Sequence, residues 1–214
     1  MLNKIKLKNF KKFQQGEFQF HTGTNILIGA NDAGKSTILK AIDIVLSQTG
    51  TDDWRNRSAY GTLMNNQAIQ TFLSSDKSIA DLPKIQIEAW LDLGTDLNNA
   101  KFEGMNNSKQ IQAQGVLFEY MFDEQFTIDF DQMVAESGDE MSFIPFEFYK
   151  ATWRTFSGQS YSFRSNPLKS ILINNDKTSG DSFSAYSNQL FGTLPLSNRN
   201  GIGIELKKAL AKVS

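Results

Sequence analysis

The sequence predicts an α/β fold in which an antiparallel β-subdomain lies beside a strand–loop–helix unit. Residues 2–8 alternate apolar and lysine side chains, a pattern that indicates a half-buried strand. Residues 25–28 form a short apolar run ended by Gly29, which is typical of a strand covered on both faces. From Lys35 onward, apolar side chains recur every three or four residues, which predicts an amphipathic helix ending near Gly50.

The other β-strands are predicted from alternating side chains and from the turn residues beside them. We expect these strands at residues 17–21, 84–93, 116–122 and 147–156. The polar step at residues 14–16 is expected to turn the chain between residues 2–8 and 17–21, and Pro83 and Gly94 bound the strand that they flank. Together the strands predict an antiparallel meander.

The predicted domain organisation is one lobe followed by the start of a second element. Residues 51–80 are polar and predict a loop with one short helix at 68–73. Residues 204–213 have helical spacing and no glycine or proline terminator. We therefore expect one lobe over residues 1–200 and the beginning of a helical arm over residues 201–214.

Composition excludes several classes of protein. The chain has 214 residues, 40% of them hydrophobic and 21% charged, with no cysteine, one histidine and a net charge of −1. Disulfide frameworks, thiolate catalysis, zinc–thiolate sites and paired-histidine metal sites are therefore excluded. The balanced charge gives no overall attraction to nucleic acid. No apolar window approaches the roughly 18 residues of a membrane span, so we expect a cytoplasmic, unanchored protein.

Residues 29–36 match the pattern G-x-x-x-x-G-K-[ST] at every fixed position, and Thr37 follows. The match joins the predicted apolar strand to the amphipathic helix, which is the context that a phosphate-binding loop requires. Unpaired backbone N–H groups and the positive end of the helix dipole attract a polyphosphate there. The predicted site comprises Gly29, Asn31, Asp32, Ala33, Gly34, Lys35, Ser36 and Thr37.

Each side chain of the motif has an expected role with ATP and magnesium. Lys35 would neutralise charge between the β- and γ-phosphates, and the Ser36 hydroxyl would bind Mg²⁺. Thr37 would donate a hydrogen bond to the α-phosphate. The alternative is an ordinary glycine turn before a helix, but a lysine in the first helical turn opposes the helix dipole and is best explained by an anion.

Hydrolysis needs parts that this motif does not contain. A second Mg²⁺ carboxylate normally ends an apolar strand, and no apolar run in the sequence leads into two acids. Residues 87–92 carry a charge within the strand, and residues 126–129 lack the second acid. Residues 155–159, Thr-Phe-Ser-Gly-Gln, lack one glycine of an ABC-type signature and continue as a strand. We expect half of an active site, which binds ATP without efficient turnover.

Two segments near the N-terminus resemble a known family. Residues 5–13 and 24–43, with weaker support from residues 84–93 and 144–156, resemble the N-terminal ATPase lobe of the OLD (overcoming lysogenization defect) ATP-dependent endonucleases. These share an ABC-type head with the SMC-like DNA-repair ATPases. The resemblance implies a P-loop NTPase of the ABC-type head N-lobe, here a truncated half-head.

What the resemblance implies extends beyond this lobe. Family members continue into a helical arm, a C-terminal lobe with the signature and acidic strand, and a metal-dependent Toprim nuclease domain. The full-length protein would couple ATPase activity to DNA cleavage, contact DNA and form a homodimer through the ATPase heads. Phage defence or DNA repair is the implied setting.

One residue departs from the family pattern. The family has arginine in Asn-Phe-Arg-x-Phe, where this chain has Lys11. The resemblance places that side chain against the nucleotide phosphates, where lysine supplies a point charge instead of a bidentate fork. The glutamine that often coordinates Mg²⁺ has no match, and residues 174–176 (Asn-Asn-Asp) are positional candidates for it.

Two alternatives remain open from the sequence. One is the ATPase lobe of an SMC-like repair or recombination protein without a nuclease, and the other is a stand-alone ATP-sensing module. Direct DNA binding is the weakest inference. The five lysines of residues 1–12 are better explained as the solvent-exposed face of a strand than as a DNA-binding stripe. We expect the tryptophans to be core anchors and His21 to be a turn residue; the tryptophans are Trp54, Trp90 and Trp153. Residues 110–149 hold nine acids and no lysine or arginine, which favours a solvated face.

Overall fold

A computed structural model of the chain describes residues 1–48, 57–137 and 141–162, together with positions 198 and 202. The chain divides into two units, Met1–Ser170 and Ile171–Ser214, and the fold described below is that of the first. None of the helices in these ranges has the length and apolar character that crossing a membrane demands. Trp54, residues 174–176 and the predicted helix at 204–213 lie outside the described residues.

One antiparallel sheet organises the first unit. Its strands are β1 (Leu2–Phe10), β2 (Phe13–Gln19), β3 (Ile85–Leu91), β4 (Glu103–Gly104), β5 (Ala113–Phe122) and β6 (Tyr149–Thr155). The spatial order is β2-β1-β3-β5-β4, and β6 also pairs with β5. Every pairing is antiparallel, and β5 lies between β3 and β6, so the antiparallel arrangement predicted for these three strands is confirmed.

The two faces of the sheet have different chemistry because side chains alternate along each strand. Ile5 and Leu7 are buried, whereas Lys6 between them lies opposite Glu17 on β2 and Glu88 on β3. The apolar face is the core of the unit. Its fully buried side chains include Ile5, Ile85, Ile87, Ala89, Val116, Phe118 and Tyr120.

Helix α1 (Lys35–Ser47) lies against the apolar face, where it contacts β3 and β5. Of the predicted apolar stripe, Ile38, Val45 and Leu46 are buried, whereas Leu39 is 44% exposed and Ile42 is partly buried. Ala41 and Ile44 complete the buried face. The helix ends slightly before the predicted position, because Gln48 takes the left-handed conformation (φ 57°).

The C-terminal end of α1 is anchored to the strand β6 and the segment after it. Trp153 Nε1 donates to the Ile44 carbonyl at 2.9 Å, and the Tyr161 hydroxyl donates to the Leu46 carbonyl at 2.8 Å. The Leu46 carbonyl is one of the last of the helix, which lack a partner within it, and the Ile44 carbonyl accepts from Trp153 in addition to the Gln48 N–H. They fix the helix axis and therefore the position of its N-terminus.

The β1–β2 hairpin is tighter than the sequence predicted. Phe10 pairs with Phe13 and Lys8 with Gln15, so the turn is Lys11-Lys12 and the polar step at residues 14–16 lies within β2. Gln14 and Gln15 are tolerated in the strand because β2 is at the edge of the sheet, where both side chains are exposed.

The predicted strand at residues 25–28 is not formed among the described residues. Leu27 is partly buried against the core, but Ile26 is 77% exposed and Ile28 is 91% exposed. A strand covered on both faces needs neighbouring strands, and none of β1 to β6 pairs with this run. The apolar run identified a segment suited to a buried strand, but it gave no information about its neighbours.

Two further helices flank the sheet. Helix α2 (Asn66–Leu73) falls within the predicted loop region and extends the expected short helix by two residues. Helix α3 (Thr127–Ser137) was not predicted, and its one fully buried residue is Phe130, whose ring packs 5.4 Å from Phe122. Its acidic residues 129, 131 and 136 are exposed, as the solvated-face interpretation predicted.

Candidate functional site

The loop before α1 wraps tightly around the N-terminus of that helix. The Ala33 N–H donates to the Ala30 carbonyl at 3.1 Å, and Asp32 has a positive φ of 62°. Gly34 is the N-cap residue with φ 100° and ψ 12°, and its carbonyl accepts the first helical hydrogen bond from Ile38 at 3.0 Å. A left-handed N-cap is accessible at little cost only to glycine.

Among the described residues, the N-terminus of α1 has no side-chain cap and no acid in its first turn. The first backbone N–H groups of a helix have no partner within the helix, and the aligned peptide dipoles concentrate positive charge there. Such an end is a ready site for an anion.

Lys35 fastens the two sides of the loop together. Its Nζ donates to the Gly29 carbonyl at 2.7 Å and to the Ala30 carbonyl at 2.8 Å. The side chain is half-buried, and its ammonium lies at the carbonyls of the loop that leads into α1. One cation and a set of convergent amide donors therefore meet at the start of α1.

The remaining motif residues are accessible or support the loop. Asn31, Asp32, Ala33 and Ser36 are exposed, whereas Thr37 is 8% exposed and faces the core side of the helix. A hydroxyl at the position of Ser36 can ligate a cation together with phosphate oxygens. Over the described ranges, no group of three or more His, Asp or Glu side chains could bind a metal ion unaided.

The β1–β2 hairpin forms a wall of the loop. Gly34 is buried, and an ideal Cβ built on it would lie 2.6 Å from Phe13 Cζ and 3.0 Å from Lys12 Cδ. Lys11, predicted to lie against the phosphates, is held by its backbone: its N–H donates to the Leu63 carbonyl at 2.7 Å. The sequence missed Lys12 and Phe13, and the signal for them would have been recognition of a two-residue turn.

Residues 155–159 form a hairpin turn and not a signature loop before a helix. The Thr155 N–H donates to the Gln159 carbonyl at 2.8 Å, Gly158 has φ 89°, and Ser160 pairs with Arg154. The predicted continuation as a strand is formed only as this isolated bridge, and residues 161 and 162 are not in a strand. The turn offers no helix N-terminus to a phosphate.

The lysines on the polar face of the sheet are largely engaged with neighbouring groups. Glu17 lies 3.5 Å from Lys4 and 3.6 Å from Lys6, and Lys4 Nζ also lies 3.9 Å from the centre of the Trp90 ring. Burial opposes ionisation of Glu17, but the attraction of Lys4, Lys109 and Lys6 lowers its pKa. Burial is also the main cause of the lowered pKa of Lys4.

An open hollow of about 540 Å³ lies on this face. Its buried member, Glu88, accepts hydrogen bonds from Trp90 Nε1 at 2.9 Å and from the Ser108 N–H at 2.6 Å. With acids interleaved among the lysines, this face matches the predicted wet face of a strand better than a nucleic-acid interface.

The other residues considered from the sequence have structural roles. Trp153 packs against the core, 4.8 Å from Phe118, whereas Trp90 is buried on the polar face of the sheet, where its ring lies 5.2 Å from Phe156. The backbone of His21 exchanges two hydrogen bonds with the Asn25 side chain, each 2.9 Å long, which makes it a turn residue as predicted.

Comparison with known proteins gives one family match. A family model described as AAA ATPase domain matches residues 1–200. The chain is 39% identical over 46 residues to the DNA double-strand break repair Rad50 ATPase of Methanopyrus kandleri, covering 22% of this chain and 5% of that protein. It is 43% identical over 42 residues to the Rad50 ATPase of Archaeoglobus fulgidus, covering 20% and 5%.

The DNA replication and repair protein RecF of Streptococcus gordonii is 44% identical over 41 residues, covering 19% of this chain and 11% of RecF. The chain therefore matches only a small part of these much longer relatives. A solved chain from a study of ATP-driven dimerization and DNA stimulated activation of SMC ATPases aligns over 96% of this chain and 98% of its own, with 14% identity and a TM-score of 0.42. That likeness is too low for a comparison of individual residues.

Proposed function

The chain belongs to the AAA ATPase domain family, and from that premise we propose that residues 29–37 bind a nucleoside triphosphate, ATP, together with Mg²⁺. The family match and the antiparallel sheet confirm the predicted fold class, the α/β fold of a P-loop ATPase head of the ABC type. The site residues, the cofactors and the activity of the whole protein are the proposal.

The observation that carries the proposal is the uncapped start of α1 behind a left-handed glycine. Gly34 leaves the amides of the first helical turn free, and Lys35 holds its ammonium across the loop between the Gly29 and Ala30 carbonyls. A β- or γ-phosphate bound on those amides would lie within reach of that ammonium. The exposed Ser36 hydroxyl would ligate Mg²⁺, which is bound mainly by phosphate oxygens and water.

For the whole protein, we propose a DNA-processing ATPase of the kind that the relatives named Rad50 and RecF represent. Identities of 39% over 46 residues and 44% over 41 residues support this level of assignment. An OLD-type endonuclease is the narrower alternative and rests on the resemblance of residues 5–13 and 24–43, with weaker support from residues 84–93 and 144–156. Metal-dependent cleavage of DNA by the full-length protein would favour the endonuclease, and ATPase activity without cleavage would favour a Rad50-like protein.

Titration of the purified chain with a fluorescent ATP analogue, with and without Mg²⁺, tests nucleotide binding. We expect saturable binding that Lys35→Ala weakens at least about tenfold, because the variant loses the charge that faces the phosphates. Lys109→Ala is the matched control, since Lys109 lies in the loop before β5 and contacts Glu17 at 3.8 Å. Equal affinity of the wild type and Lys35→Ala would refute the proposed site.

Turnover is expected to be negligible for this chain. The described residues provide the phosphate loop but no group of three or more acidic or histidine side chains that could bind a metal ion, and no apolar run in the sequence leads into two acids. Phosphate release measured at saturating ATP should therefore not exceed that of Lys35→Ala. Robust hydrolysis by the wild type that Lys35→Ala abolishes would contradict this expectation.

A further inference from the structure

The β1–β2 turn brings a second lysine to the phosphate loop, and this lysine is not part of the loop motif. Lys12 Cδ would lie 3.0 Å from a Cβ built on Gly34, so the methylene stem of Lys12 lies directly over the N-cap of α1. The ammonium nitrogen of Lys12 lies two bonds beyond Cδ, and the residue is exposed to solvent. A phosphate bound on the amides that follow Gly34 is therefore within reach of this ammonium.

The neighbouring lysine is anchored in a different way. The Lys11 N–H donates to the Leu63 carbonyl at 2.7 Å, and the Lys11 carbonyl accepts from Asn65 Nδ2 at 2.7 Å. Lys11 also has a positive φ of 48°. The atoms nearest to the Gly34 position belong to Lys12 and Phe13, so the turn directs the residue after Lys11 toward the loop.

Asn65 holds this turn in place. It is 6% exposed, its N–H donates to the Asn9 carbonyl at 3.0 Å, and its Nδ2 donates to the Lys11 carbonyl. Its Oδ1 accepts from the Ala68 N–H at 3.1 Å and caps helix α2. One buried side chain therefore joins the start of α2 to the turn that touches Gly34.

We propose that Lys12 supplies a second positive charge to the polyphosphate bound at residues 29–37, and that Asn65 is the positioning residue that holds Lys12 there. The inference rests on the proposed function, because it requires a nucleotide in the loop. Lysine at this position acts as a flexible point charge, which suits a phosphate that carries several oxygens.

Substitutions at position 12 separate charge from packing. Lys12→Met keeps an unbranched stem over Gly34 but removes the charge, and we expect it to weaken ATP binding about five- to tenfold, the size of one partly exposed charge-assisted contact. Lys12→Arg should bind like the wild type. Raising the salt concentration should narrow the gap between Lys12→Met and the wild type, because salt screens exposed charges. Lys11→Met is the neighbour variant that locates the charge, and we expect it to weaken ATP binding less than Lys12→Met does. Lys109→Ala, whose side chain contacts Glu17, is the control expected to leave ATP affinity unchanged.

Substitutions at position 65 test whether Asn65 acts through Lys12. Asn65→Asp keeps an oxygen for the Ala68 N–H but sets a second oxygen against the Lys11 carbonyl, so the α2 cap persists while the turn is released. We expect weaker ATP binding with unchanged helix content by circular dichroism. In the Lys12→Met background, Asn65→Asp should cause no further loss of affinity, whereas a merely structural role would give additive losses.

The outcomes distinguish this inference from the proposed function. If the wild type fails to bind ATP, the proposed function fails, and the inference fails with it. If Lys35→Ala loses binding while Lys12→Met retains wild-type affinity, only the inference is overturned. A larger effect from Lys11→Met than from Lys12→Met would also overturn it, since the charge would then belong to the other lysine. Additive losses in the Asn65–Lys12 cycle would overturn the positioning role of Asn65.

Discussion

Replacing Gly34 by alanine should destabilise the protein through two separate effects that can be measured independently. The first is the backbone conformation, because a φ of 100° costs a residue with a Cβ about 1–2 kcal/mol. The second is steric: the new Cβ would lie 2.6 Å from Phe13 Cζ and 2.9 Å from Phe13 Cε2, against an ordinary carbon contact of about 3.5–4.0 Å.

The ring of Phe13 must move by about 1 Å to accept the methyl group, and overpacking of this kind costs about 1–3 kcal/mol. Phe13 is only partly buried, so we take the lower part of that range. The two effects together give a loss of about 2–4 kcal/mol in the free energy of unfolding. ATP binding should also fall, since the amides that follow Gly34 would be displaced.

Urea unfolding followed by circular dichroism measures the stability, and Gly23→Ala provides the matched control. Gly23 has φ 87° but nothing within 4 Å of an added Cβ, so it reports backbone strain without overlap. Gly34→Ala should cost about 1–2 kcal/mol more than Gly23→Ala. In a double-mutant cycle, Phe13→Ala should remove this extra steric cost, so the coupling energy between Gly34→Ala and Phe13→Ala should be about 1–2 kcal/mol. Equal losses at both glycines, or no coupling with Phe13, would refute the reasoning.

Two other predictions concern the sheet and its edge. Burial opposes ionisation of Asp123, but hydrogen bonds from Arg57 (2.9 Å) and Lys150 (3.0 Å) outweigh it and lower its pKa from 3.8 to about 2. The ionised Asp123 therefore stabilises the fold above about pH 4, and this stabilisation is lost as the pH falls toward 2. Asp123→Asn should lower the free energy of unfolding by about 1–2 kcal/mol at pH 7 and by less at pH 2.5. A decrease that is the same at both pH values in urea unfolding would contradict this. A Cβ on Gly115 would lie 2.3 Å from Phe156 Cε2 and 2.5 Å from the Ala89 carbonyl oxygen. Gly115→Ala should therefore lower the free energy of unfolding by about 3 kcal/mol or more, measured by thermal unfolding. An unchanged melting temperature would contradict this.

Parts of the fold could be predicted because one local pattern determined them. The spacing of three and four residues, together with a glycine N-cap, defined α1. Pro83 and Gly94 bounded alternating side chains, and β3 lies between them. Both signals depend only on residues close in sequence.

Other parts could not be predicted because their causes are distant in sequence. The Lys11-Lys12 turn has no glycine, and it is held by Asn65, more than fifty residues away. Helix α3 buries one residue fully, Phe130, so its period is weak and its acids dominate the pattern. The run at residues 25–28 has the composition of a central strand, but pairing depends on neighbours that composition does not specify.

The candidate site shows the same division. The motif located Lys35 and Ser36 because the loop and the helix are continuous in sequence. Phe13 and Lys12 reach Gly34 only after β1 and β2 have paired, so their proximity is a consequence of tertiary structure.

The isoleucines at positions 26 and 28 also affect how the protein behaves in concentrated solution. Their side chains are exposed to solvent on either side of the partly buried Leu27, so they form a small apolar patch at the surface. Branched apolar side chains presented in this way favour lasting encounters between molecules, with a tendency to aggregate. Replacing both isoleucines by polar residues should therefore raise the solubility limit of the chain without disturbing the packing of its interior.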